Sequence, residues 1–309
     1  MSETFIITMS QMMVLFFFMA LGYIFQKKKL CPENSSTVLS KLEVYIILPS
    51  LCFSTFADKF EREILGEKLK TILWATLILV ISGVASYFIA KLFSKKKETI
   101  GVYTYAFTIP NMSYIGYPLM SAVFGEDALF DFMVFVLPSQ IYIYTVAIYM
   151  LNPKHELKLK SVLNPALVAL FLGAFWGIFD LPLPAIARNI LDLASGCMAP
   201  LAMLLTGFVL ARRPLLQLVK NPKMYLASFL RLIVFPIVFS GILWLLGADN
   251  ETVMLCACLL SLPMGLNNIV FPEAFGGDSE TGAQSCFVCN ILGLFTVPVM
   301  YTLISNIFM

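Results

Sequence analysis

Two short polar interruptions sit inside otherwise apolar stretches of this chain, Pro110-Asn-Met-Ser-Tyr-Ile-Gly-Tyr-Pro118 and Pro263-Met-Gly-Leu-Asn-Asn-Ile-Val-Phe-Pro272. Each brings two prolines, a glycine and amide side chains to a place where an apolar span would otherwise be one continuous helix. Proline lacks a backbone donor and clashes with the turn before it, so both spans are expected to break there. Hydrocarbon cannot pair the freed N–H and C=O groups. Such breaks survive only where they are buried in protein or line a cavity.

Composition makes this a membrane argument. The chain is 59% hydrophobic and 13% charged, with a mean hydropathy of +0.85, whereas soluble domains are nearer half apolar and a quarter charged. It reads as an integral membrane protein. A net charge of +2, with lysines spread over short loops, argues against nucleic acid as a partner. The first apolar run, Phe5 to Phe25, is too long for a signal-peptide core and is followed by Lys27, Lys28 and Lys29, so it reads as a retained span. The seven cysteines fall mostly within spans and read as packing residues. Cys286-x-x-Cys289 has no histidine near it, and His155 is the sole histidine. No metal or cofactor is expected.

About 20 apolar residues cross a bilayer as a helix, and ten stretches meet that rule: 5–26, 36–57, 70–93, 99–124, 128–151, 162–180, 185–211, 222–247, 251–275 and 281–308. The charged stretch Asp58 to Lys70 reads as a solvated interfacial helix. Fourteen of the twenty-one basic residues lie in alternate loops: Lys27–Lys29, then Lys91 and Lys95–Lys97, then Lys154, Lys158 and Lys160, then Arg212, Arg213, Lys220 and Lys223. The positive-inside rule places these loops in the cytoplasm and both termini outside the cell membrane.

Five spans per half, residues 1–151 and 162–309, give the second half the opposite membrane orientation. Pro49 precedes Pro110 by 61 residues and Pro200 precedes Pro263 by 63, the spacing expected of an inverted repeat. The fold expected is an all-α membrane protein of ten transmembrane helices in two inverted five-helix repeats, with broken helices four and nine crossing near the midplane. Half-helix N-termini converging there carry partial positive charge, which suits a carboxylate. Asn111, Ser113, Asn267 and Asn268 are candidate ligand-binding side chains. Gly116 and Gly265 would allow close approach, and Pro110, Pro118, Pro263 and Pro272 mark the crossover. A packed kink is an equal reading for one such helix, but two at corresponding positions favour a site.

Ionisable groups within spans are costly and mark function by default. Glu43 and Asp192, in the repeat-related helices two and seven, are candidate coupling groups. Arg231 is expected to reach toward the cytoplasm with its head group, and Asp131 and Glu273 to meet water at span ends. Catalytic motifs are missing: there is no His-Glu-x-x-His, no Gly-rich loop followed by Lys, and Phe275-Gly-Gly-Asp278 and Leu193-Ala-Ser-Gly196 each lack the first glycine of the intramembrane protease motif they approach. An enzyme is not expected.

The chain resembles the auxin efflux carrier family, which includes plant carriers and bacterial permeases described as malate or malonate carriers. The residues concerned are Leu48-Pro49-Ser-Leu-Cys-Phe53, Pro110 through Leu119, Pro200-Leu-Ala-Met-Leu-Leu-Thr-Gly207, and Leu262-Pro263 through Asp278. The resemblance implies a scaffold of helices 1, 2, 6 and 7, a mobile unit of helices 3–5 and 8–10, elevator-like movement and a homodimer. Plant members have a long segment between helices five and six, where this chain has only Asn152 to Ser161, so a small organic anion is expected rather than auxin. The function expected is secondary active transport of a small carboxylate across the lipid bilayer. A ligand sensor using the same pocket and an anion channel are the alternatives.

Overall fold

The computed structural model describes residues 3–152 and 164–308. Lys154, Lys158, Lys160 and His155 lie outside the described residues, as does the start of the sixth expected span. The described residues form helices and no strands. In chain order these are α1 (Glu3–Lys27), α2 (Ser35–Lys59), α3 (Leu65–Phe93), α4 (Lys97–Thr108), α5 (Met112–Phe135), α6 (Leu137–Leu151) and α7 (Pro165–Ile178). They continue as α8 (Ala185–Ala211), α9 (Leu215–Val219), α10 (Pro222–Leu245), α11 (Asn250–Ser261), α12 (Asn267–Phe275) and α13 (Ser279–Phe308). Six of them, α1, α2, α3, α8, α10 and α13, are long and apolar enough to cross a membrane. A seventh is added if α5 and α6, bent by 45° at their junction, form one span. Helices α7 and α11 are apolar but shorter.

The expected interfacial helix over Asp58 to Lys70 does not form. Its ends belong to α2 and α3, and only a turn separates them. The first turn of α3 carries Lys68, which bonds Glu67 at 2.9 Å and, on α5, Asp131 at 2.7 Å.

Local chemistry sets most helix ends. Asn164 and Asn221 accept the N–H groups of Ala166 and Lys223, and each precedes a proline, the pairing expected of a capped start. Three wide π turns, Glu43–Ile47, Met112–Gly116 and Leu230–Val234, each end two residues before a proline, at Pro49, Pro118 and Pro236. The proline ring would strike the carbonyl four residues back, and a π turn moves that carbonyl aside. A fourth, Ile143–Ala147, has no such proline.

Helices then pair through small residues. A methyl group at Gly22 of α1 would overlap the Leu204 backbone of α8, and one at Gly207 would overlap that of Met19. Close backbone approach of this kind is how helices associate where lipid removes the hydrophobic drive between them. Outward faces carry Leu92, Ile186 and Leu193 at 82, 76 and 76% exposure, an apolar exterior suited to lipid rather than water.

Candidate functional site

The two proline-flanked interruptions meet. Expected span four is interrupted between Thr108 and Met112, and expected span nine between Ser261 and Asn267. Pro110 and Met264 form an isolated antiparallel bridge, and the Asn111 N–H donates to the Pro263 carbonyl at 2.8 Å. Part of the polarity each break frees is thus satisfied by the other. α13 satisfies more: the Met264 carbonyl accepts from Asn290 Nδ2 at 3.4 Å and from the Cys286 thiol at 3.5 Å. Cys286 and Cys289, both buried, pack beneath the crossing.

A cavity of about 650 Å³ stands over this crossing. Its walls include Pro110, Asn111, Ser113, Gly265 and Asn267, five of the residues singled out from the sequence. Asn111 caps the new helix by accepting the Tyr114 N–H at 3.3 Å, which commits its Oδ1. Its Nδ2 is buried without a hydrogen-bond partner among the described residues. The Asn267 side chain lies beside the Tyr105 hydroxyl. Helices α5 and α12 both start at the crossing, so two helix N-termini adjoin the cavity.

Other expected residues stand apart. Asn268 is fully buried and turns toward α13, donating to Ser285 Oγ at 2.9 Å, because successive residues of a helix point about 100° apart. Gly116 packs under Leu262 and Phe132. Pro118 lies in the first α-helical turn after the Met112–Gly116 π turn, and Pro272 is buried inside α12; neither lines the cavity. Asp192 is exposed on a segment of α8 with no buried residue, so it does not join Glu43. Glu43 is 1% exposed, and neither carboxylate oxygen has a hydrogen-bond partner among the described residues.

Arg231 overturns its expectation. It is fully buried instead of reaching toward water, with Nη2 3.5 Å from the Leu259 carbonyl in the last turn of α11. A cation at a helix C-terminus is favourable, and the break after Ser261 makes that terminus internal. Asp131 and Glu273 lie near helix surfaces in ion pairs, Asp131 with Lys68 and Glu273 with Arg212.

Sequence reasoning missed Lys41, Gln140, Tyr144 and Arg212, which also line the cavity. Lys41 had a signal, since it is a basic residue inside an apolar span. Arg212 was counted only as a loop charge. Its guanidinium bonds Glu273 at 3.1 Å and also Ser36, and these three residues stand at the cavity mouth. Lys27 Nζ donates to the Ala211 carbonyl at 3.4 Å, so the lysine-rich turn after α1 lies on the same side as the mouth.

At the far end of α12 the chain is held by Asp278, the residue before α13. Burial raises its carboxyl, but hydrogen bonds from Thr99 at 2.6 Å and from the Thr281 N–H and hydroxyl at 3.0 and 2.7 Å hold it below the usual carboxylate range.

Comparison with known proteins places the chain among transporters. The profile of the family described as Membrane transport protein matches residues 7–301, through both breaks. The chain is 23% identical to an uncharacterized transporter of Methanothermobacter thermautotrophicus, over 90% of this chain and 92% of that one. It is 22% identical to an uncharacterized transporter of Methanocaldococcus jannaschii, over 97% and 100%. A Rhizobium meliloti protein named "Putative malonate transporter" is 25% identical over 93% and 92%. The family and these relatives are transporters, not enzymes, as the missing catalytic motifs lead one to expect. With a match that spans nearly the whole chain, this protein belongs to the membrane transport protein family.

Proposed function

We propose that this chain is a secondary active transporter of a small organic carboxylate, which binds where the two broken spans cross. The observation that carries this reading is the hydrogen bond between Asn111 and Pro263 at one end of a cavity of about 650 Å³. A cavity of that size is typical of small-molecule sites, and the unpartnered Nδ2 of Asn111 and the starts of α5 and α12 offer donors to an anion. The malonate in the name of the Rhizobium meliloti relative points to the same class of substrate.

In this reading α4 with the first part of α5, and α11 with α12, are the broken fourth and ninth of ten spans in two inverted five-helix repeats. Gly125, at φ 88°, separates span four from span five. The scaffold would hold helices 1, 2, 6 and 7 and the rest would move elevator-like against it. The mouth lies on the side of the basic loops, so it opens to the cytoplasm with both termini outside. Glu43 is the coupling group of this proposal, because a buried carboxyl without partners is retained at a cost in stability. A homodimer remains part of the proposal through the family resemblance.

Uptake of radiolabelled malonate into proteoliposomes tests it. Saturable uptake that falls at least tenfold in Asn111→Ala and Asn267→Ala, and loses its dependence on a pH gradient in Glu43→Gln, is the expected result. Unchanged rate and affinity in both asparagine variants would remove the crossing as the substrate site, and large unitary currents in a planar bilayer would replace the carrier with a channel.

A further inference from the structure

The cavity is layered from the crossing to the mouth, and three helices repeat the order. On α2 the wall residues run from Leu48 through Val44 to Lys41. On α8 they run from Leu205 through Val209 to Arg212, and on α12 from Asn267 through Val270 to Glu273. The direction is fixed by Arg212, which bonds both Ser36 at the start of α2 and Glu273 near the end of α12. On each a valine stands three residues before or after the ionic one, close to one helical turn, with Arg212 at the residue that caps α8. The result is a floor where Asn111 and Asn267 stand beside Leu48 and Leu205, a valine belt and an ionic rim.

The charges of the rim do not cancel. Arg212 is matched by Glu273 at 3.1 Å. Lys41 has no carboxylate within ion-pair distance among the described residues, so the rim keeps one uncompensated positive charge. An anion fitted only to the floor would leave that charge and the valine belt unused.

We propose that Lys41 is a second anion subsite of this cavity, taking the far carboxylate of a linear α,ω-dicarboxylate whose methylene chain lies along Val44, Val209 and Val270. This rests on the reading of the crossing as the site of the near carboxylate. Asn267 and Glu273 are six residues apart on α12, so floor and rim are separated by about 9 Å at the helical rise. An extended chain gains about 1.2 Å per bond, so roughly seven bonds span that gap, and the reach of the lysine side chain sets the preferred length at about six to nine carbons. Malonate is too short to touch both ends.

Thermal shift of the purified full chain in detergent, titrated with malonate, adipate, suberate and octanoate, tests this. Suberate is expected to bind at least about tenfold more tightly than octanoate, since its second carboxylate adds a charge-assisted contact that octanoate cannot make. Malonate is expected to bind more weakly than suberate. In Lys41→Gln the suberate-to-octanoate affinity ratio should collapse toward one, and Lys41→Arg should restore it, which separates loss of the subsite from loss of fold. A ratio that survives Lys41→Gln, or malonate binding as tightly as suberate, overturns the proposal. Asn111→Ala separates the two readings: if it weakens every carboxylate while Lys41→Gln is silent, only the rim subsite fails. If Lys41→Gln collapses the ratio while Asn111→Ala is silent, the rim subsite stands and the crossing site fails.

Discussion

The Asn111 N–H and the Pro263 carbonyl, 152 positions apart in the chain, share a hydrogen bond of 2.8 Å at the crossing. The bond is made by the main chain, so it separates what the Asn111 side chain does from what its backbone does. Asn111→Ala keeps it and loses only the cap on Tyr114, a cost of about 1 kcal/mol. Asn111→Pro removes the donor and leaves a buried carbonyl unmatched, at about 3 kcal/mol or more. Thermal unfolding in detergent should show a small shift for the first variant and loss of monodisperse protein for the second.

Gly282 is where α13 passes α12. A β-carbon there would overlap the Asn268 carbonyl, which is backbone and has no flexible end to yield. Gly282→Ala should destabilise by about 1–3 kcal/mol through overpacking. Gly241→Ala, in α10 with nothing within 4 Å of the added carbon, should be neutral or stabilising by about 0.5–1 kcal/mol. Parallel melting curves of the two variants check the contrast. A shift of equal size in both would mean that this helix pair is not closely packed.

Arg231 occupies a fully buried site with one long hydrogen bond, while its Nε and Nη1 have no partner among the described residues. Replacing such a cation by an apolar side chain of similar length commonly leaves stability unchanged or raises it. Arg231→Met should therefore melt at or above the wild-type temperature, whereas Arg231→Ala should lose about 2–5 kcal/mol to the cavity it opens. Uptake by the Met variant should fall, because the last turn of α11 loses the cation at its C-terminus.

Asp278 links α4 to the start of α13 through Thr99 and Thr281. Its carboxyl is held low in the folded protein, so its contribution is present above the unfolded value near pH 4 and is lost as pH falls through the folded value. Asp278→Asn should cost on the order of 1 kcal/mol at pH 7, because hydrogen bonds to the charged carboxylate are stronger than those to a neutral amide, and the gap from wild type should close in acid. Melting temperatures of both proteins at pH 7 and about pH 3 measure this.

Much of the candidate site was legible in the sequence. Prolines and asparagines inside apolar runs announced both breaks, since lipid cannot pair the groups a break exposes. Their spacing named Asn111, Ser113, Gly265 and Asn267, all on the cavity wall. It could not separate Asn267 from Asn268, because the rotation of α12 about its axis is set by packing against α13. Nor could it tell that Arg231 is enclosed or that Arg212 bonds Ser36 and Glu273, since each depends on helices distant in the chain.

The sequence by itself determined the solvent, the helical class and the two places where helices must fail, because those follow from local hydrophobicity and from proline. Tertiary structure alone decided which polar groups share one cavity. Side chains such as Lys41, Asn111, Arg212 and Asn267 meet only when four separate helices pack, and close contact between Gly22, Gly207 and the backbones opposite them shows how tightly some of that packing is set.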